Sequence, residues 1–201
     1  MNKLTIDFYD RPDVLQIARE LIGKILVTKL GGKVTSGRIV ETEAYVAIVD
    51  KASHSYGGKR TARNEHMYAA AGTTYVYICY GIHHLFNIVT NKKEIPDAVL
   101  IRALEPLEGI ETMLKRTGKK KADNTLTKGP GNVAKALGIS KRQSGFSILN
   151  DKLFIAEDGF IMKDKNITVT KRIGIDGAGD AAFLPYRFLL NTSAYISGSI
   201  K

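Results

Sequence analysis

The feature that most narrows the possible folds is a pair of strand-like stretches around Tyr80-Gly81. Residues 73–79 and 84–89 are rich in β-branched and aromatic side chains, and the tyrosine-glycine pair between them predicts a tight turn, hence an antiparallel hairpin. A second hairpin is expected upstream, where residues 24–30 and 33–45 flank Gly31-Gly32. A further strand is expected over 98–104, ended by Glu105-Pro106, and shorter strands or loops over 153–156, 167–175 and 186–190.

Helical spacing appears between these strands. Val14, Ile17, Ala18, Leu21 and Ile22 follow Asp10 and Pro12, which predicts a helix over 11–22 ending at Gly23. Leu107, Ile110, Met113 and Leu114 predict another over 107–116, and Gly129-Pro130-Gly131 opens a short one reaching residue 137. Residues 46–66 are polar and rich in turn formers, and a loop of that length within a compact domain is usually functional. No repeat or linker divides the 201 residues. The fold class expected is therefore α+β: a single mixed domain over 1–201 built on an antiparallel sheet.

Composition excludes several classes. No apolar run approaches the roughly 20 residues needed to span a bilayer, and the first residues lack the apolar core of a signal peptide. The one cysteine, Cys79, allows no internal disulfide and fits a reducing cytoplasm. Lysine and arginine number 30 against 20 acids, a net charge of +10 that favours phosphate-rich partners. Lys59, Arg60 and Arg63 form one basic group, and Lys115, Arg116, Lys119, Lys120 and Lys121 form a denser run read as a solvated loop.

On a strand, Glu41, Glu43 and Tyr45 share one face while Val40 and Ala44 share the other. From spacing alone two readings stand. The acids are ordinary solvated residues paired with lysines, or a carboxylate and a phenol floor a pocket for a flat ring. Tyr75, Tyr77 and Cys79 likewise share a face, and Tyr80 sits where a turn projects it outward. Tyrosines so close together suit stacking on nucleic-acid bases, worth about 1–3 kcal/mol per base. The histidines His54, His66, His83 and His84 lack zinc spacing, so no metal is expected. Neither a Gly-x-Ser-x-Gly elbow nor a phosphate-binding glycine loop occurs.

The motifs GRIVETEAY at 37–45, ASHS at 52–55 with Arg63-Asn64, YVYICYG at 75–81 with Asn87, and LIRALEPLEG at 100–109 resemble the alkyladenine (3-methyladenine) DNA glycosylase family. The resemblance continues through GPGNVAKALGI and RIGIDGAGDA to PYRF at 185–188, in unbroken order over nearly the whole chain. It implies a curved antiparallel sheet with a protruding tyrosine-bearing hairpin. It also implies an enzyme that flips an alkylated or deaminated purine out of duplex DNA and hydrolyses its N-glycosidic bond, leaving an abasic site in base excision repair.

By that resemblance Glu43 is the general base that activates water, with Arg102 its partner. Tyr45, His54 and Tyr77 hold the extruded base, and Asn87 disfavours the exocyclic amine of normal guanine. Ile175 acts through its backbone near the water, and Tyr80 wedges into the duplex. No lysine matches a Schiff-base nucleophile, so hydrolysis without strand cleavage is expected, with no cofactor. The partner implied is double-stranded DNA bearing damaged purines, met by a cytoplasmic, monomeric, bacterial-type enzyme. Ile82-His83-His84-Leu85 and Asp176 depart from the pattern of vertebrate members. Two competing readings remain at this point: a non-catalytic nucleic-acid binding module, and an enzyme acting on free nucleosides, which gains little from so much positive charge.

Overall fold

The computed structural model describes residues 1–198. One antiparallel sheet runs through it, with helices packed on one face. In chain order the main elements are β1 (Asn2–Lys3), α1 (Ile6–Tyr9), α2 (Val14–Glu20), β2 (Ile25–Leu30), β3 (Lys33–Tyr45), β4 (Thr74–Cys79), β5 (His83–Thr90) and β6 (Asp97–Glu108). They are followed by α3 (Ile110–Thr117), α4 (Pro130–Leu137), β7 (Leu153–Glu157), β8 (Ile167–Thr170) and β9 (Arg187–Leu190). The α+β class expected from the sequence is the one found.

The strand order is β1-β7-β2-β3-β6-β5-β4, with β9 pairing β3 and β8. The long strand β3 organises this arrangement. Its first half pairs with β2 and its second half, at Glu41 to Glu43, with β9. Its other edge pairs with β6 throughout, with register shifts at Ser36/Gly37 and around Glu41. Such bulges bend a strand and re-aim its side chains.

Alternation along β3 separates two environments. Thr42 donates to the Ala18 carbonyl of α2 at 2.8 Å, and Val40 and Ala44 lie in the main core with α2, α4 and Met113 of α3. The opposite face carries Glu41, Glu43 and Tyr45. Further along that face a smaller cluster forms from Met67, Tyr68, Tyr75, Val89 and Ala98, with Tyr77 packed against it.

Several element ends differ from expectation, for identifiable reasons. Asp13, not Asp10, caps α2, because its carboxylate accepts the Gln16 amide at 2.9 Å; Asp10 closes the short turn of α1 instead. Strand β6 does not stop at Glu105-Pro106. Its pairing with β5 covers only Asp97 to Leu100, so Pro106 lies beyond that ladder and next to a register shift with β3, where its missing N–H is tolerated. Gly109 then turns the chain into α3 with φ of 76°; a Cβ there would meet the Val34 carbonyl oxygen at 2.2 Å. The strand expected over 167–175 covers only β8, and the residues after it leave the sheet to reach the site.

Candidate active site

Register places the site. Glu43 lies opposite Leu100, Leu100 opposite Asn87, and Asn87 opposite Tyr75, so one row crosses β3, β6, β5 and β4. Residues directly opposed in a sheet present side chains to the same face. Four distant stretches of sequence therefore converge on one line.

Glu43 is fully buried and both of its carboxylate oxygens have polar partners. Its Oε2 accepts the Tyr45 hydroxyl at 2.9 Å and lies 3.2 Å from Arg102 Nη1. Its Oε1 accepts the backbone N–H of Ile173 at 2.7 Å. Burial, the Glu43 charge and Tyr77 all push the Tyr45 phenol well above its ordinary range, so it stays a donor. Arg102 is almost wholly buried and forks between the two acids, its Nε bonding Glu41 at 3.0 Å.

Above this carboxylate lies an aromatic cleft of about 520 Å3, lined by Tyr45, His54, Tyr75, Tyr77, Asn87 and Ile175 among others. That volume is within the usual range for a small-molecule site. A contiguous cleft of about 340 Å3 shares Tyr45, Tyr77, Tyr80 and Ile175 and adds Arg102, Lys128 and the Gly129-Pro130-Gly131 start of α4. Tyr45 and Arg102, both bonded to Glu43, line these clefts; Glu43 itself sits one layer below.

The aromatic side chains are mutually fixed. His54 Nδ1 and the Tyr75 hydroxyl are 2.8 Å apart, the His54 and Tyr77 rings meet edge to face at 4.6 Å, and Tyr75 stacks on Tyr77 at 5.5 Å. Burial, with Arg63 and Lys59 adding to it, lowers the His54 pKa to about 4, so the imidazole is neutral at pH 7. Burial also raises the Tyr75 phenol to about 12, against an opposing pull from Arg63. The aromatic part of the cleft wall is therefore uncharged, and the cations that line the cleft are Lys51 and Arg63, the latter 5.6 Å from the Tyr77 ring centre. Asn87 spends its amide hydrogens on the carbonyls of Tyr75 (3.1 Å) and Leu85 (3.4 Å).

Tyr80 stands apart at the hairpin tip. It is 86% exposed and has φ of 50°, with Gly81 at 73°. A left-handed conformation costs a non-glycine residue of order 1–3 kcal/mol and persists where surrounding structure enforces it. Here it aims a phenol ring outward beside Ile82, itself 74% exposed.

Two residues at this site escaped sequence reading. One is Ile173, whose backbone N–H reaches Glu43; Ile175, named from the sequence, lines both clefts, and its carbonyl accepts the Ala178 N–H at 2.9 Å. No side-chain signal marks a residue that acts through its amide. Arg172, adjacent, is completely buried and bonded to Asp50. Of the basic residues, Arg60 is tied to Glu65 and Glu94, and Arg116 bonds the carbonyls of Leu30 and Ala136. Arg116 is thus a structural cation inside the run read as a solvated loop, whereas Arg60 is paired on the surface. Among the described residues no cluster of histidine, cysteine or acid side chains is arranged to hold a metal ion, and no helix is long and apolar enough to cross a membrane.

Residues 7–194 match the sequence model of the family described as methylpurine-DNA glycosylase. Among similar proteins, one from Desulfitobacterium hafniense (strain Y51) is 47% identical over 204 residues, covering 98% of this chain and 99% of its own. One from Clostridium perfringens (strain 13 / Type A) is 43% identical over 203 residues, covering 97% and 98%. One from Chlamydia abortus (strain DSM 27085 / S26/3) is 45% identical over 185 residues, covering 92% and 96%. Each provisionally bears the name 3-methyladenine DNA glycosylase.

Proposed function

Since this chain belongs to the methylpurine-DNA glycosylase family, we propose that it is a monofunctional 3-methyladenine DNA glycosylase that turns an alkylated or deaminated purine out of duplex DNA and hydrolyses its glycosidic bond. The observation that carries this reading is the buried Glu43 carboxylate, held by Tyr45, Arg102 and the Ile173 amide directly beneath an aromatic cleft.

In this reading Tyr45, His54 and Tyr77 clamp the extruded base. A base alkylated on a ring nitrogen is cationic and attracted to the faces of tyrosines. A neutral His54 adds no repulsion. The exposed Tyr80 fills the space left in the duplex, and turning a base out costs a few kcal/mol, least at weakened pairs. Water enters along the cleft edge formed by Arg102 and Ile173. Its oxygen bonds to the anomeric carbon while the glycosidic C–N bond breaks, and the purine departs with the bonding electrons. The water proton passes to Glu43. The products are a free base and an abasic sugar, with the strand intact.

Glu43 is fully buried, so the reading requires the damaged nucleotide to open the Tyr45–Arg102 edge to one water. The same duplex-binding face serves a monomer. The test is base release from duplexes carrying 3-methyladenine, 7-methylguanine or hypoxanthine, before and after Glu43→Gln. Release that Glu43→Gln abolishes, with lesion binding retained, supports the assignment. Unchanged release overturns it.

A further inference from the structure

The residue behind Tyr45 is not accounted for by the chemistry above. Arg172 is buried to 3% exposure, and its side chain is wholly enclosed. Its guanidinium lies 4.7 Å from the Tyr45 ring centre and 5.2 Å from that of Tyr186. It donates to the carbonyls of Ala44 at 2.9 Å and Ala181 at 3.1 Å, and both of its terminal nitrogens bond Asp50, Nη2 to Oδ1 at 2.9 Å. Asp50 in turn accepts the Val46 and Ala52 backbone amides, closing the turn that leads to His54. The next residue along the chain, Ile173, donates its amide to Glu43. One ion pair thus joins the end of β3, the loop bearing His54 and the segment that reaches the carboxylate.

Resting on the glycosylase reading, we propose that Arg172 and Asp50 are positioning residues that fix the Tyr45 ring over Glu43, and that Asp50 masks the guanidinium so that the open side of the ring accepts a cationic purine. A guanidinium stacked on one face of a phenol locks its plane. Unmasked, the same charge repels a positive base on the other side. A bare cation behind the ring favours a neutral base over a charged one, and a bare anion there does the reverse. A pair needed only for folding has no such sign.

The test uses the Glu43→Gln protein as parent, so that turnover does not interfere. Binding is measured to duplexes identical except for 7-methylguanine, which is cationic, hypoxanthine, which is neutral, or undamaged guanine. Asp50→Asn is expected to weaken binding to 7-methylguanine about tenfold more than binding to hypoxanthine, by the size of a Coulomb term at this separation. Arg172→Met is expected to move the ratio the opposite way, and Asp50→Glu to restore it. Thermal melts establish that each variant is folded, and either of the two opposing variants suffices if the other is not. If both shift the two lesions alike, this inference fails and the glycosylase reading stands. If the parent distinguishes neither lesion from guanine, and releases no 3-methyladenine before the Glu43 substitution, the glycosylase reading fails and takes this inference with it; if it releases 3-methyladenine but ignores both lesions, this inference alone fails.

Discussion

Glu41 and Glu43 sit two residues apart on the same face of β3, both fully buried, and their surroundings divide structure from chemistry. Glu41 is enclosed by fixed donors. It receives Arg187 Nε at 2.7 Å, Arg102 Nε at 3.0 Å, and the Ser197 amide and hydroxyl at 2.6 and 2.8 Å. Arg187 and Ser197 reach it from where β3 meets β9 and residues 193–198, away from the clefts, and only Arg102 is shared with Glu43. Glu43 has fewer donors, and two of them, Tyr45 and Arg102, also face open clefts. The same side chain in the same kind of strand becomes a brace when both oxygens are saturated from within. It becomes a candidate base when its partners border a cavity.

Glu43→Gln gives the largest expected effect. Losing a positioned general base costs about 10²–10⁴ in rate, so single-turnover base release should fall by that factor while the melting temperature stays near its original value. Comparable losses of release and of stability would place Glu43 in the same role as Glu41 and erase the distinction.

The converse experiment is Glu41→Gln. Removing one partner from a buried ionic network costs about 3–5 kcal/mol because a remaining charge is left uncompensated, here Arg187, while Arg102 keeps Glu43. Denaturant unfolding should show that loss, whereas release per folded molecule should change little. Arg102 touches both acids, so a double-mutant cycle between the two glutamates measures how far the brace and the base are coupled through it.

How much of this was legible in the sequence follows from the same contrast. Period-two alternation put Glu41, Glu43 and Tyr45 on one face and Val40 and Ala44 on the other, and the Tyr80-Gly81 turn marked the hairpin. Those are local properties, and the strands formed where the pattern indicated. Spacing alone did not separate the two acids, because what distinguishes them arrives from far along the chain: Arg187 and Ser197 for one, Ile173 for the other. The β3 bulge that opposes Glu41 to Ala103 depends on pairing with β6, and it too leaves no local mark. Resemblance to a family supplied candidate site residues that spacing could not rank, of which the fold brings Tyr45, His54, Tyr77, Asn87 and Ile175 to one cleft. It did not supply the Arg172–Asp50 pair, since buried ion pairs are invisible until their loops are brought together.

Tyr45→Phe sharpens the comparison at a smaller scale. The ring remains to stack on a base, and only the 2.9 Å bond to Glu43 is lost. A hydrogen bond to a charged group is worth about 1.5–3 kcal/mol, so release should slow by roughly tenfold to a hundredfold with lesion binding nearly unchanged. An equal loss of binding would mean that the hydroxyl serves the base and not the carboxylate.

The smallest expected effect is in the pH dependence, where the cleft and the brace should again part. Folding lowers the His54 pKa from about 6.5 to about 4, with burial the leading cause. Between those values the unfolded chain takes up a proton that the folded chain does not, so stability should decline as pH falls through this window and level off below it. Lesion binding has a different profile. It should hold while the folded imidazole stays neutral and fall only as pH approaches 4, where a charged ring repels a cationic base. In His54→Gln the melting temperature should lose a few degrees less than the parent between pH 7 and pH 4.5, a shift of the size expected for about 1 kcal/mol in a domain like this one. Identical pH profiles in parent and variant would show that His54 does not titrate as its burial requires, and that the aromatic wall owes its neutrality to some other group.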